Sequence, residues 1–145
     1  MTTIETRHAN TIEKVFRIVY SDQLPPDHEL NSPPPGGPLV NDVLENGIIQ
    51  PVGLNFITDE DRYEVVYGRR RIKAARLATA KAKKDKKEMI GAIPAMVAID
   101  LTDAEVALWA LLENAHGSDN PLSDIRSIRS LLIEGLTYEE IAKAI

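Results

Sequence analysis

The chain contains no cysteine. Disulfides, thiolate zinc sites and cysteine nucleophiles are therefore excluded, and the composition suits a reducing, cytoplasmic setting. Long apolar runs are also missing. The longest, Ala92–Ile99, is about eight residues and holds a proline, whereas a membrane-spanning helix needs about 20. The opening MTTIETRHANTIEKVF has no apolar centre of signal-peptide type. No G-x-x-x-x-G-K-S/T, G-x-G-x-x-G or G-x-S-x-G stretch occurs, which sets aside the enzymes built on those turns. His8, His28 and His116 have no partner at metal-ligand spacing.

What is present is 145 residues with 43% hydrophobic and 27% charged side chains. That is one soluble globular domain, or one with a small appendage, long enough to bury a core without staples. The net charge of −5 hides an uneven distribution. Residues 1–60 carry three Lys/Arg against nine Asp/Glu, residues 61–90 eleven against four, and residues 91–145 three against nine. A basic island thus sits between two acidic flanks. A protein coating DNA with its whole surface would not be built so, because that binding scales with the phosphates neutralised. Capture of one compact anion fits the pattern.

Residues 1–11 are polar and aperiodic and read as a flexible tail. Val15–Tyr20 is β-branched and aromatic, a strand. Pro25–Pro38 holds six prolines and two glycines and reads as one long loop. Leu39, Val40, Val43 and Leu44 share a helical face that Asn46-Gly47 closes. Val52–Ile57 and Tyr63–Tyr67 read as strands around a polar turn, and Gly68 ends the second. Arg69 to about Lys81 is helical in composition, Lys81–Glu88 a solvated run or helix end, and Ile93–Ile99 a strand. Beyond residue 100 the pattern is helical throughout. Thr102-Asp-Ala-Glu105 and Thr137-Tyr-Glu-Glu140 are capping boxes, and Asn120-Pro121 is an N-cap with a first-turn proline.

The strongest chemical signal is YEVVYGRRRIKAA from Tyr63. A strand leads through a glycine into a helix that opens with Arg69, Arg70, Arg71 and Lys73. Cations oppose the positive dipole at a helix N-terminus, each at a cost of about 0.3–1 kcal/mol. Two arrangements make sense of them: a bound phosphate taking backbone amides and arginine forks together, or a solvated basic face pairing with the acidic flanks. Asn46-Gly-Ile-Ile-Gln-Pro51 is a helix cap and strand start that also places Gln50. Glu113-Asn114 offers two hard oxygen ligands of the kind Mg2+ takes, although such a pair taken alone is ordinary surface.

In this order and spacing the segments resemble the N-terminal domain of ParB-type partition proteins, within the ParB/sulfiredoxin superfamily. The resemblance rests on GIIQP at Gly47–Pro51, YEVVYGRRRIKAARLA at Tyr63–Ala78, IPAMV at Ile93–Val97 and ALLENAHGSDNPLS at Ala110–Ser123. It implies an α+β fold: a small mixed sheet with helices over residues 12–100, then a helical segment over residues 101–145 that starts a helix-turn-helix-like region. It also implies a nucleotide site for CTP (or ATP) with Mg2+. Gly47 and Gln50 match the family's base-and-sugar turn. Gly68, Arg70, Arg71, Lys73 and Ala74 match its phosphate motif, G-E-R-R-x-R-A. Glu113 and Asn114 match its E-N-x-x-R motif, with metal and phosphate contacts.

Two departures stand out. Arg69 occupies the place of the motif's carboxylate, which argues against efficient nucleotide hydrolysis, and Gly117 that of the last arginine. The sulfiredoxin branch is set aside because its catalytic cysteine has no counterpart. The expected function is a cytoplasmic nucleotide-binding module of a DNA-partition or DNA-regulatory protein, with nucleotide-dependent homodimerisation. DNA is expected to be held through parts beyond this chain, which reads as an excised fragment or a truncation. The alternatives are a nuclease or an ATP-dependent phosphotransferase on the same scaffold, and simple DNA contact through residues 69–87.

Overall fold

The structure, a computed structural model, describes residues 12–115 together with 133, 135–137 and 139–140. The expected tail over residues 1–11, the Asn120 cap and the helical face after it lie outside the described residues. The chain divides into two compact units, one formed by Lys14–Ile99 and the other containing the helix that follows Asp100.

The first unit is a four-stranded mixed sheet with helices, as expected of an α+β fold. Strands β1 (Val15–Tyr20), β2 (Val52–Ile57), β3 (Arg62–Tyr67) and β4 (Ala92–Ile99) lie in the order β1-β4-β2-β3. β1 pairs antiparallel with β4, from Val15 opposite Val97 to Tyr20 opposite Ala92. β4 runs parallel to β2, and β2 and β3 form an antiparallel hairpin. Alternation decides the faces. Val19, Val52, Leu54, Val65, Ile93, Ala95 and Val97 point into one apolar core. On the outer strand β1, Phe16, Ile18 and Tyr20 face the other way and stay exposed.

Helices α2 (Gly37–Asn46) and α3 (Arg69–Lys81) add Val40, Val43, Ile72, Ala74, Ala75 and Ala78 to that core. The buried alanines of α3 are small enough for the helix to lie close against its neighbours.

Two segments differ from the sequence expectation. The proline-rich stretch is not one loop. It contains a single helical turn, α1 (Asp27–Leu30), that Pro26 opens and left-handed Asn31 (φ 52) ends, and its Leu30 is fully buried. Further on, α2 begins at Gly37 with Pro38 in its first turn. Proline forbids a helix interior but suits a helix start, where its missing N–H is not needed. The lysine-rich run likewise passes into a short helix, α4 (Lys87–Gly91), because Ile90 is drawn into the core.

Arg76 holds the proline-rich segment to α3. Its guanidinium donates to Ser21 Oγ (2.7 Å) and to the carbonyls of Ser21 (2.9 Å), Leu24 (3.4 Å) and Pro25 (2.8 Å). It also pairs with Asp27 at 2.6 Å. Composition alone gave this residue no distinction from its neighbours.

In the second unit α5 (Asp103–Ala115) starts at the expected capping box. The Thr102 N–H donates to Glu105 Oε1 (3.0 Å) and the Glu105 N–H to Thr102 Oγ1 (3.2 Å), which explains how a carboxylate comes to be buried. Ala104, Ala107, Leu108 and Leu111 form its apolar cluster, joined by Leu112 and Leu136. The second capping box closes in the same way between Thr137 and Glu140, at 3.2 Å in both directions. Among the described residues, no helix is long and apolar enough to cross a membrane.

Removing the Arg76 fork leaves several carbonyls without their donor. Arg76→Ala should lower stability by about 2–4 kcal/mol, read as a shift in the urea midpoint at constant slope. Arg76→Lys should recover less than half, because one ammonium cannot span the bonds that a planar fork makes.

Candidate functional site

β3 turns into α3 through Gly68, whose φ of 90° is left-handed. A Cβ there would lie 2.6 Å from Val52 Cγ1, 2.9 Å from its Cβ and 3.2 Å from its Cα. The start of β2 and the start of α3 therefore touch through a position that tolerates no side chain. Beside this contact, Gly53 carries the ring of Tyr67, whose nearest carbon would stand 2.1 Å from an added Cβ. β3 has one residue more than β2 here, because the pairing shifts between Gly53 opposite Tyr67 and Leu54 opposite Val65. Val66 is the extra residue of this bulge.

α3 opens without a capping side chain and without an acidic residue in its first turn. Its hydrogen-bond ladder starts with Ile72 N–H to the Gly68 carbonyl (3.2 Å), so the amides of Arg69, Arg70 and Arg71 lie outside that ladder. The three arginines take different routes. Arg69 turns back onto the bulge and donates to the carbonyls of Val65 (2.8 Å) and Val66 (3.1 Å). Arg71 reaches to the start of β2 and donates to the carbonyls of Gln50 (2.6 Å) and Pro51 (2.8 Å). Arg70 is half-buried, and among the described residues its buried Nε has no hydrogen-bond partner. One turn on, Lys73 donates to the Ser32 carbonyl (2.6 Å) in the proline-rich segment.

Gly47 closes α2 with its N–H on the Val43 carbonyl (2.8 Å). The link from Gly47 to Gln50 borders an open cleft of about 330 Å³. Leu39, Val43 and Ile48 are its apolar wall, and Asp42, Gln50 and Arg71 its polar groups. Arg71 thus belongs both to the first turn of α3 and to this cleft.

The fold brings the sequence-predicted residues Gly47, Gln50, Gly68, Arg69, Arg70 and Arg71 together around the starts of β2 and α3. Lys73 is spent on the proline-rich segment. Glu113 is exposed on the last turn of α5, with Asn114 the next residue of that helix, in the second unit. Among the described residues, no three His, Asp or Glu side chains converge as a metal site. Asp42 escaped the sequence reading because it looks like any solvent-facing helix residue.

A small mixed sheet whose glycine turn leads into an arginine-rich helix start defines an α+β domain of one class. The family model described as ParB N-terminal domain matches residues 37–115, and the chain belongs to that family. Chromosome-partitioning protein Spo0J of Thermus thermophilus is 35% identical over 108 residues, 74% of this chain and 35% of its own length. Probable chromosome-partitioning protein ParB of Xylella fastidiosa is 30% identical over 138 residues, 91% of this chain and 41% of its own. Stage 0 sporulation protein J of Bacillus subtilis is 35% identical over 107 residues, 72% and 33% respectively. The chain spans about a third to two fifths of the length of these curated relatives.

The Gly68 contact should be sensitive to one methyl group. Gly68→Ala would force left-handed backbone and push against fully buried Val52. We expect a loss of about 2–4 kcal/mol, measurable by urea unfolding, whereas Gly37→Ala, with nothing within 4 Å of the added Cβ, should cost far less.

Proposed function

We propose that this chain is a nucleotide-binding module of a DNA-partition or DNA-regulatory protein, with CTP as the first ligand to test and ATP the second. The observation that carries it is the double membership of Arg71 in the first turn of α3 and in the Gln50 cleft. An anion held at the helix start and a ring seated in the cleft would then be parts of one molecule. The turn Gly68–Arg71 takes the phosphates. Backbone amides at a helix start and arginine side chains are donors suited to phosphate oxygens, and among the first-turn arginines Arg70 has a buried Nε without a partner. Gly47 and Gln50 border the base and sugar, and Lys73 serves the phosphates once it leaves Ser32. Mg2+ is the metal of this reading, and Glu113 and Asn114 carry hard oxygen atoms of the kind it takes.

The relatives are named for chromosome partitioning. We carry that role over as the setting of the module: DNA as partner, a cytoplasmic location and dimerisation under nucleotide control. Turnover is a separate matter. Arg69 stands where the family motif has a carboxylate, and an arginine accepts no proton at neutral pH. Its guanidinium is also engaged with the Val65 and Val66 carbonyls.

Filter binding of CTP, ATP and GTP, each with and without Mg2+, tests the proposal. Arg70→Ala should weaken the bound nucleotide about ten- to a hundredfold, the worth of one charged hydrogen bond, at unchanged melting temperature. Unchanged affinity would return the arginines to a solvated basic face. Arg71→Ala should lose affinity and stability together, since its carbonyl contacts at Gln50 and Pro51 go too.

Phosphate release at saturating CTP and Mg2+ should be slow and should rise in Arg69→Glu, which restores a carboxylate at the helix start. Fast wild-type release abolished by that substitution would make Arg69 itself a participant in the reaction.

A further inference from the structure

The two edges of the sheet are built differently. β3, at one edge, has the bulge at Val66 and the charged residues Arg62 and Glu64. β1, at the other, pairs with β4 in an unbroken register along its whole length. It has no proline, and Arg17 is its one charge. Edge strands are usually blunted by bulges, prolines or charges, because their open N–H and C=O groups invite another strand. β1 has little of this protection, and it presents a row of apolar side chains on one face. Phe16 is 56% exposed, Ile18 49% and Tyr20 47%.

Hydrogen bonds show which backbone groups of β1 face outward. The Tyr20 N–H donates to Gln23 Oε1 (2.8 Å). Pro94, opposite Ile18 on β4, has no N–H to give. Peptide groups alternate in direction along a strand, so those of Phe16 and Ile18 point to the same side as that of Tyr20, away from β4. Gln23 closes the edge at Tyr20. Phe16 and Ile18 are left as its open positions.

We propose that β1 pairs antiparallel with β1 of a second copy of this chain, with Ile18 opposite Ile18 on a two-fold axis. Only registers that set even-numbered residues against even-numbered ones keep the apolar row on one face. A pair centred on Arg17 would set two like charges opposite each other, which is unfavourable. Centring on Ile18 instead sets Arg17 against Val19 and Phe16 against Tyr20. It also brings Lys14 near Asp22, a pair of opposite charge, on both sides of the axis. Ile18 then exchanges two backbone hydrogen bonds across the axis, and the Phe16 N–H reaches the Tyr20 carbonyl. The same patch serves both copies, as a closed dimer requires. A strand pair this short covers less than the ~800 Å² per partner of a stable complex, so the dimer is weak and half-formed at about 0.1 mM. It needs no nucleotide, because β4 lies between β1 and β2, at whose start the cleft opens.

Sedimentation equilibrium of the nucleotide-free chain, from about 5 μM to about 1 mM, is the first test. We expect a concentration-dependent dimer, and a dissociation constant raised at least about tenfold in Ile18→Lys, which sets two ammonium groups on the axis. The register is tested by cross-linking. The chain has no cysteine of its own, so Ile18→Cys and Val15→Cys each introduce a single thiol. Under mild oxidation Ile18→Cys should give a disulfide-linked dimer. Val15→Cys should give far less, since its two thiols would lie about 20 Å apart along the strands. A wild type that stays monomeric throughout would overturn the proposal. So would a dimer that Ile18→Lys leaves intact, or equal cross-linking of the two cysteine variants. Should Ile18→Lys fail to fold, the cysteine variants decide alone. Every arm is run without nucleotide, so failure here leaves the nucleotide reading to its own binding assay.

Discussion

The contact between Gly68 and Val52 is the constraint on which the rest of the site depends. Two chain segments that are remote in sequence meet backbone to side chain, with no room for a Cβ between them. Their approach places the first turn of α3 over the start of β2. From there Arg71 can reach the Gln50 and Pro51 carbonyls, and the cleft acquires its cation. The neighbouring contact of Tyr67 on Gly53 and the extra residue at Val66 belong to the same local arrangement. The bulge leaves carbonyls that need donors, and Arg69 supplies them.

This arrangement makes a costly charge pattern tolerable. Three arginines in the first turn oppose the helix dipole and one another. Hydrogen bonds from Arg69 and Arg71 to backbone carbonyls hold two of the guanidinium groups in separate directions, one toward β3 and one toward β2. The charges remain, but they are spread and oriented. What is left concentrated at the helix start is the set of amides outside the ladder and the Arg70 Nε. Lys73 and Arg76 continue the theme along α3, each tying the proline-rich segment to the helix. A single helix thus organises the cleft through Arg71 and the segment preceding α2 through Lys73 and Arg76.

Much of the fold was legible because its signals are local. β1 and β2 have the ends that β-branched and aromatic runs predicted, and α3 runs from Arg69 to Lys81 as its composition suggested. The Thr102 and Thr137 capping boxes close as the spacing required, since both partners lie within one turn. The proline-rich segment was misjudged for a physical reason. Proline restricts one φ and removes one donor, which ends a helix only where that donor is needed. At the starts of α1 and α2 it is not, and burial of Leu30, Val40 and Val43 decides the matter. In α4 the lysine pattern concealed Ile90, whose burial depends on the core beneath it.

The motif residues around Gly68 could be named from the sequence because a glycine followed by three arginines is unusual chemistry at a helix start. The division of labour among those arginines could not. Their side chains have the same charge and the same donors, and only the position of carbonyls from other segments sends Arg69 to β3, Arg71 to β2 and Arg76 to residues 21–27. Asp42 was likewise invisible, since its neighbour in sequence is solvent and its neighbour in space is the cleft. By itself, the sequence determined the elements, their caps and the glycine turn, all of which are set by interactions within a few residues. The tertiary structure decided which cation holds the proline-rich segment, which arginine keeps a buried Nε without a partner and which carboxylate borders the cleft, because those outcomes depend on contacts between segments 21 to 55 residues apart in the chain.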